Sequence, residues 1–167
     1  LFIKPGILLN KDGSFQKIYK FRGPDLDSST QHELVAARNR FNNVMRILGS
    51  SWCLHVEARR RKSQKYYKSE FPDAASEFFD RERQHSFGQD NNQYETDYFF
   101  SLAWLTPADT KGRLEEIFYE NLPKLGASDY RRCLEEFEAV CNKVADSLQI
   151  FMPSFRALDD AETLTYL

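Results

Sequence analysis

The run YETDYFFSLAWL, Tyr94 to Leu105, restricts this chain more than any other stretch. Strand periodicity puts Tyr98, Phe100, Leu102 and Trp104 on one side, and Phe99, Ala103 and Leu105 with Ser101 on the other. A strand apolar on both faces needs cover on both, so this run predicts a central strand, ended by Pro107. Its nearly apolar part, Tyr98 to Leu105, is far shorter than the roughly 20 residues a membrane-spanning helix needs. No signal-peptide pattern opens the chain.

The strand needs neighbours, and the first 21 residues supply two. Asn10-Lys11-Asp12-Gly13 has the chemistry of a type I turn followed by a bulge, with Asn10 bonding back to its own backbone and Gly13 in the left-handed region. Ile7-Leu8-Leu9 and Phe15 to Phe21 are therefore hairpin strands. Phe15, Tyr19 and Phe21 share one face, with Lys17 the exception on it. Another strand is read at Trp52 to Arg59, where Trp52, Leu54, Val56 and Ala58 form an apolar face. Phe155 to Leu158 reads as a last one.

Helices follow from caps and spacing. Thr30-Gln31-His32-Glu33 is a capping box, and Leu34, Ala37, Phe41, Val44 and Leu48 then recur at helical steps up to a stop at Gly49. Phe71-Pro72-Asp73 opens a second helix running to about Phe87, broken by Gly88. A short helix is expected over 112–121, stopped by Pro123 and Gly126. Ser128 is expected to cap the longest helix, whose face carries Leu134, Phe137, Val140, Cys141, Val144 and Leu148. Asp159-Asp160-Ala161-Glu162 supplies cap chemistry for a final helix.

The order β-β-α-β-α-β-α-α-β-α predicts an α+β domain. Its antiparallel or mixed sheet of about 4–5 strands should carry helices mainly on one face. Length 167 fits a single domain spanning 1–167. The missing initial Met and a last helix cut off at Leu167 suggest an excerpt of a longer protein. Cys53, Cys133 and Cys141 form no CxxC pair and read as core or near-core residues in a reducing compartment; with His32, His55 and His85 scattered, no metal site is expected. Charge is uneven: residues 1–68 hold 14 Lys/Arg against 5 Asp/Glu, and residues 69–167 hold 9 against 20. Charge-guided docking follows as an expectation.

The catalytic inventory is empty. GxxxxGK[ST], GxGxxG, GxSxG and HExxH are all absent. Glu115-Glu116, Glu135-Glu136 and Asp159-Asp160 are helix neighbours that diverge, and Glu82 with His85 reads as a surface contact. No catalytic residue, metal or cofactor is expected in this domain. The strongest chemical feature is the basic run RRRKSQKYYK, read as a loop. Arg59, Arg60, Arg61, Lys62, Lys65 and Lys68 attract phosphate, and Tyr66 and Tyr67 offer rings for stacking. The run also suits a partner protein or an anionic membrane surface, although such short runs are most often solvated.

Several separated blocks then fall into one pattern. GILLNKDGSFQKIYKFRGPDLDSST and ELVAARNRFNNVMRILGSSWCLHVEARR are followed in order by SEFPDAASEFFDRER, YETDYFFSLAWLTP and DDAETLTYL. Together they resemble the amino-terminal region of conjugal-transfer ATPases of type IV secretion systems, the TrbE-like branch of the CagE/TrbE/VirB family, essentially end to end. The resemblance implies a bacterial parent whose motor domain follows Leu167, carries the Walker motifs and uses ATP and Mg. It implies a place at the cytoplasmic face of the inner membrane, self-association, and contacts with other secretion subunits there. It implies for this region a docking role without catalysis; nucleic-acid contact through 59–68 is the alternative. No catalytic residue of the family has a counterpart here.

Overall fold

A computed structural model describes residues 1–63, 66–67, 69–90, 94–106 and 127–167. Two compact units emerge: Leu1–Glu57 with Tyr98–Leu167, and Ala58–Asp97. The strands are β1 (Phe2–Lys4), β2 (Ile7–Leu9), β3 (Ser14–Arg22), β4 (Trp52–Lys62), β5 (Tyr94–Leu105) and β6 (Ser154–Ala157). The helices are α1 (Gln31–Met45), α2 (Ala74–Asp90), α3 (Ala127–Gln149) and α4 (Asp160–Tyr166). The strands form one six-stranded sheet in the order β1-β2-β3-β5-β4, with β6 paired to β3. The α+β reading holds. β1 is an addition that its three residues, FIK, are too few to announce.

The hairpin turn forms as its residues dictate. Gly13 donates to the Asn10 carbonyl at 3.0 Å, Asn10 donates to the Ser14 carbonyl at 2.9 Å, and Gly13 takes φ +80°. Asp12, rather than Asn10, makes the side-chain turn, its Oδ1 accepting from the Ser14 amide at 3.0 Å. Asn10 instead donates to Ser14 Oγ and Gln16 Oε1. From this turn β3 runs antiparallel to β5 through eight register pairs, Ser14 with Leu105 to Phe21 with Tyr98. On its other edge β3 is shared: β2 pairs with Phe15–Lys17 and β6 with Tyr19–Arg22.

β2 and β6 meet end to end at Gly6, and the fit is tight. Gly6 holds φ +71°, and a Cβ there would lie 2.9 Å from the Leu158 carbonyl oxygen. Its amide donates to Asp160 Oδ1 at 2.6 Å, and Leu158 N–H donates to the Ile18 carbonyl at 2.9 Å. Only glycine combines that dihedral with that approach.

The main core lies on the sheet face of Phe15, Tyr19, Phe100, Leu102 and Trp104. α3 covers it with Leu134, Phe137, Cys141, Val144 and Leu148, all predicted from the helical spacing, and α1 adds Val44 and the half-buried Phe41. Phe137 is fully buried, with ring centroids 5.6 Å from Phe15, 5.4 Å from Trp52 and 6.5 Å from Trp104. Lys17 interrupts this face, and its amine turns over the Tyr19 ring at 5.7 Å. Tyr19 O–H donates to the Cys141 carbonyl at 3.3 Å. Burial pushes the Cys141 thiol up to about 12 and the Tyr19 phenol well above its ordinary range, so both stay neutral in the core. The opposite face has a smaller cluster of Leu8, Ile18, Phe99 and Leu158, where Tyr166 of α4 meets Phe99 at 4.8 Å.

Both capping boxes form. Thr30 accepts from Glu33 N–H while Glu33 accepts from Thr30 N–H, and Asp159 and Glu162 do the same at α4. Arg156 adds a two-pronged bond to Glu162 at 2.6 Å on each side. That bond, then the Asp159 amide, lowers the Glu162 carboxyl to about 2.

Several sequence expectations are corrected. α1 ends at Met45 with Arg46 as a right-handed cap, well before Gly49, because Ile47 and Leu48 turn inward to pack on the core. Gly88 does not break α2, which continues to Asp90. α3 already begins at Ala127, so Ser128 lies inside it. Val56 and Ala58 on β4 are exposed, and so is Cys53; only Cys133 and Cys141 are core residues. The helix expected over 112–121 and its stops at Pro123 and Gly126 lie outside the described residues, as does Pro107.

Three outcomes follow. Phe137→Ala should cost about 3–5 kcal/mol in a denaturant titration, the usual loss for emptying a buried aromatic site. Gly6→Ala should cost about 1–3 kcal/mol by the same measurement, for the strained dihedral with the Leu158 clash. Because Glu162 titrates lower folded than its ordinary 4.5, its contribution is complete above that value. It should fade as pH falls from there through about 2. Glu162→Gln should flatten that part of the stability–pH curve.

Candidate functional site

The strand expected to end at Arg59 runs three residues further, into the basic run read as a loop. Arg59, Arg60, Arg61 and Lys62 are the last four residues of β4, so alternation sends Arg59 and Arg61 to one side and Arg60 and Lys62 to the other. Extended backbone is what a run with a β-branched and aromatic lead-in adopts when a neighbouring strand is present, and β5 neighbours β4 in the sheet. Lys65 and Lys68 lie outside the described residues.

Within the second unit, much of this charge is already answered. Arg61 Nε lies 2.8 Å from Asp97 Oδ2, and its terminal nitrogen lies 3.5 Å from Glu95 Oε2. Ser63 donates to Glu95 Oε1. Arg60 sends its guanidinium over the Tyr94 ring, 4.3 Å from the centroid, a cation–π contact at the surface. Arg59 is half-buried and Lys62 is exposed. Across the whole unit, 58–97, the sequence holds eight Lys/Arg and eight Asp/Glu, so its formal charge is zero. The formal charge of the basic run is thus offset, within residues 58–97, by acids at 70–97.

The two tyrosines part company. Tyr66 faces α2, donating its hydroxyl to Asp80 Oδ1 and setting its ring edge-on to Phe87 at 5.4 Å. The bond to Asp80 raises its phenol above the ordinary value, since it favours the protonated form. Tyr67 is 74% exposed. Lys62 and Tyr67 are therefore exposed, and so is Arg60 although it rests on Tyr94, whereas Arg61 and Tyr66 are engaged inside the unit.

α2 supplies further groups to this unit. Asp73 caps it, accepting from Ser76 N–H at 2.8 Å, and Arg81 pairs with Glu77 at 2.6 Å. Ser76, Asp80 and Phe87 are half-buried; Phe78 and Phe79 point outward, 61% and 63% exposed. Two adjacent phenylalanines on a charged helix were the available signal. Adjacent residues sit about 100° apart on a helix, so the pair makes no clean stripe in the sequence. His85 and Glu82 lie exposed on the same helix. No group of three or more His, Cys, Asp or Glu suited to a metal occurs among the described residues. Nor, among them, is any helix long and apolar enough to cross a membrane.

The comparisons with known proteins address the chain as a whole. Residues 6–112 match the family model described as the type IV secretion system ATPase VirB4/TrbE, N-terminal domain. The chain is 30% identical over 146 residues to "Conjugal transfer protein TrbE" of Rhizobium radiobacter, covering 86% of this chain but 18% of that protein. A second relative, from Sinorhizobium fredii (strain NBRC 101917 / NGR234), is described as the first part of a probable conjugal transfer protein TrbE. It is 33% identical over 109 residues, covering 64% of this chain and 72% of that protein. The hairpin, α1, the basic strand, α2 and β5 all fall inside the region that the family model matches. The chain belongs to the family of N-terminal domains of VirB4/TrbE-type ATPases of type IV secretion systems.

Proposed function

We propose that this chain is a non-catalytic docking and assembly domain that couples a conjugal-transfer ATPase to secretion subunits at the bacterial inner membrane. The longer protein would hydrolyse ATP with Mg in a motor domain, at the cytoplasmic face, to drive transfer of DNA or protein, and would self-associate. The observation that carries this reading is the N-terminal domain match, joined to a relative of which this chain spans 18%. The uneven division of the fold supports it. One unit is well packed, and the other offers Arg60, Lys62, Tyr67, Phe78 and Phe79 at its surface. Loops and marginal elements positioned by a rigid scaffold are where contacts are usually made.

Arg60 stacked on Tyr94, with Tyr67 exposed, favours a second reading, contact with single-stranded nucleic acid. The zero formal charge of 58–97 argues against it, since affinity for phosphates scales with uncompensated Lys and Arg. An anionic membrane surface meets the same objection.

One comparison separates the readings. The chain is passed over immobilised inner-membrane secretion subunits of its own transfer system, and separately titrated with single-stranded DNA at two salt concentrations. Replacing Arg60 and Lys62 with Ala should lower retention on the subunits roughly tenfold, equivalent to about 1.4 kcal/mol. Unchanged retention, together with a steep salt-dependent DNA affinity that the same variant loses, would transfer the assignment to nucleic acid.

A further inference from the structure

None of the described side chains of Ala58–Asp97 is buried. At a length of about 40 residues, a unit usually needs a disulfide, a metal or a partner to hold together, and this one contains no cysteine. Its parts are weak for the same reason. α2 is a 17-residue helix on which only Ser76, Asp80 and Phe87 are half-buried, and helices owe most of their stability to a buried face. The ends of β4 and β5 inside the unit make a two-stranded ribbon, marginal by itself in water. What joins these parts is Arg61 with Asp97 and Glu95, Arg60 over Tyr94, and Tyr66 with Asp80 and Phe87. All of these groups are exposed or half-buried.

We propose that Ala58–Asp97 opens and closes as one piece while the first unit stays closed. β4 and β5 each pass from one unit into the other, at Glu57–Ala58 and at Asp97–Tyr98. On the first unit's side they are anchored, with Phe99, Leu102 and Trp104 of β5 buried and Trp52 of β4 stacked on Phe137. Opening therefore stops at Glu57 and Tyr98, where burial begins. It takes the whole unit, because Tyr66 ties the segment after β4 to α2, and Arg61 ties β4 to β5. Neither the helix nor the ribbon keeps its partner when the other leaves. The arrangement of Arg60 on Tyr94 beside Lys62 exists only in the closed form. A partner that docks there draws the equilibrium towards closure by mass action. The opening itself goes beyond the docking role proposed above and does not need it, since it is read on the chain alone.

Hydrogen exchange of the whole chain, followed segment by segment by mass spectrometry, tests this. Hydrogen-bonded amides of 58–97 should be protected, yet exchange on the order of tenfold or more faster than those of β3 and 99–104. Val144→Ala removes part of the core under α3. It should speed the slowest amides of the first unit about tenfold and leave 58–97 as it was. Gly88→Ala adds to α2 a methyl that meets nothing within 4 Å. It should slow exchange roughly threefold throughout 58–97, at both strand ends as well as in the helix, part of the full gain from replacing a mid-helix glycine. Equal quickening of both units by Val144→Ala would make the chain one cooperative piece and overturn the proposal. A Gly88→Ala effect confined to α2, or absent, would overturn opening as a single piece. Amides of 58–97 with no protection at all would leave no closed form and overturn it as well.

Discussion

The packing of Phe137 on the aromatic face of the sheet is the contact on which the rest of the first unit depends. Its ring meets Phe15 of β3, Trp104 of β5 and Trp52 of β4, so one α3 residue spans three strands. That arrangement exists only in the observed register, which sets Phe15 opposite Trp104 and Tyr19 opposite Phe100. A one-residue slip of β3 would carry Phe15, Tyr19 and Phe21 to the opposite face and expose them. Turn chemistry at Asn10–Gly13 starts β3 in register, and the Gly6–Leu158 junction fixes where β2 begins and β6 ends. Local signals and core packing thus favour the same pairing, the consistency expected of a chain with one native state.

The two units divide stability and exposure between them. Among the described residues, all the buried apolar ones belong to the first, while the second offers charged pairs and half-covered aromatics. Surface ion pairs such as Arg61 with Asp97 contribute only about 0.2–1 kcal/mol each, so the second unit has little to resist local opening.

Much of the fold could be read locally. The bulged turn, both capping boxes, the central β5 and the buried stripe of α3 are properties of adjacent or regularly spaced residues, and the structure keeps them. The misreadings came mostly from distant partners. Gly49 looked like a helix stop, but inward packing of Ile47 and Leu48 ended α1 earlier. Gly88 looked like a breaker, yet one glycine costs a helix only about 1 kcal/mol. The basic run looked like a loop because four consecutive cations have no strand signature, until Glu95 and Asp97 stand beside Arg61.

The candidate surface was legible only in outline. Arg59 to Lys68 stands out in the linear sequence because charge density is a local property. The pairing of Arg61 with acids some 30 residues away is not local, nor is the separation of Tyr66, held by Asp80, from exposed Tyr67. By itself the sequence determined the turns, the caps, the class of fold and the family, since each rests on residue identity and short spacing. Tertiary structure alone decided which cations remain open and which aromatics stay uncovered, because exposure depends on what the rest of the chain brings alongside.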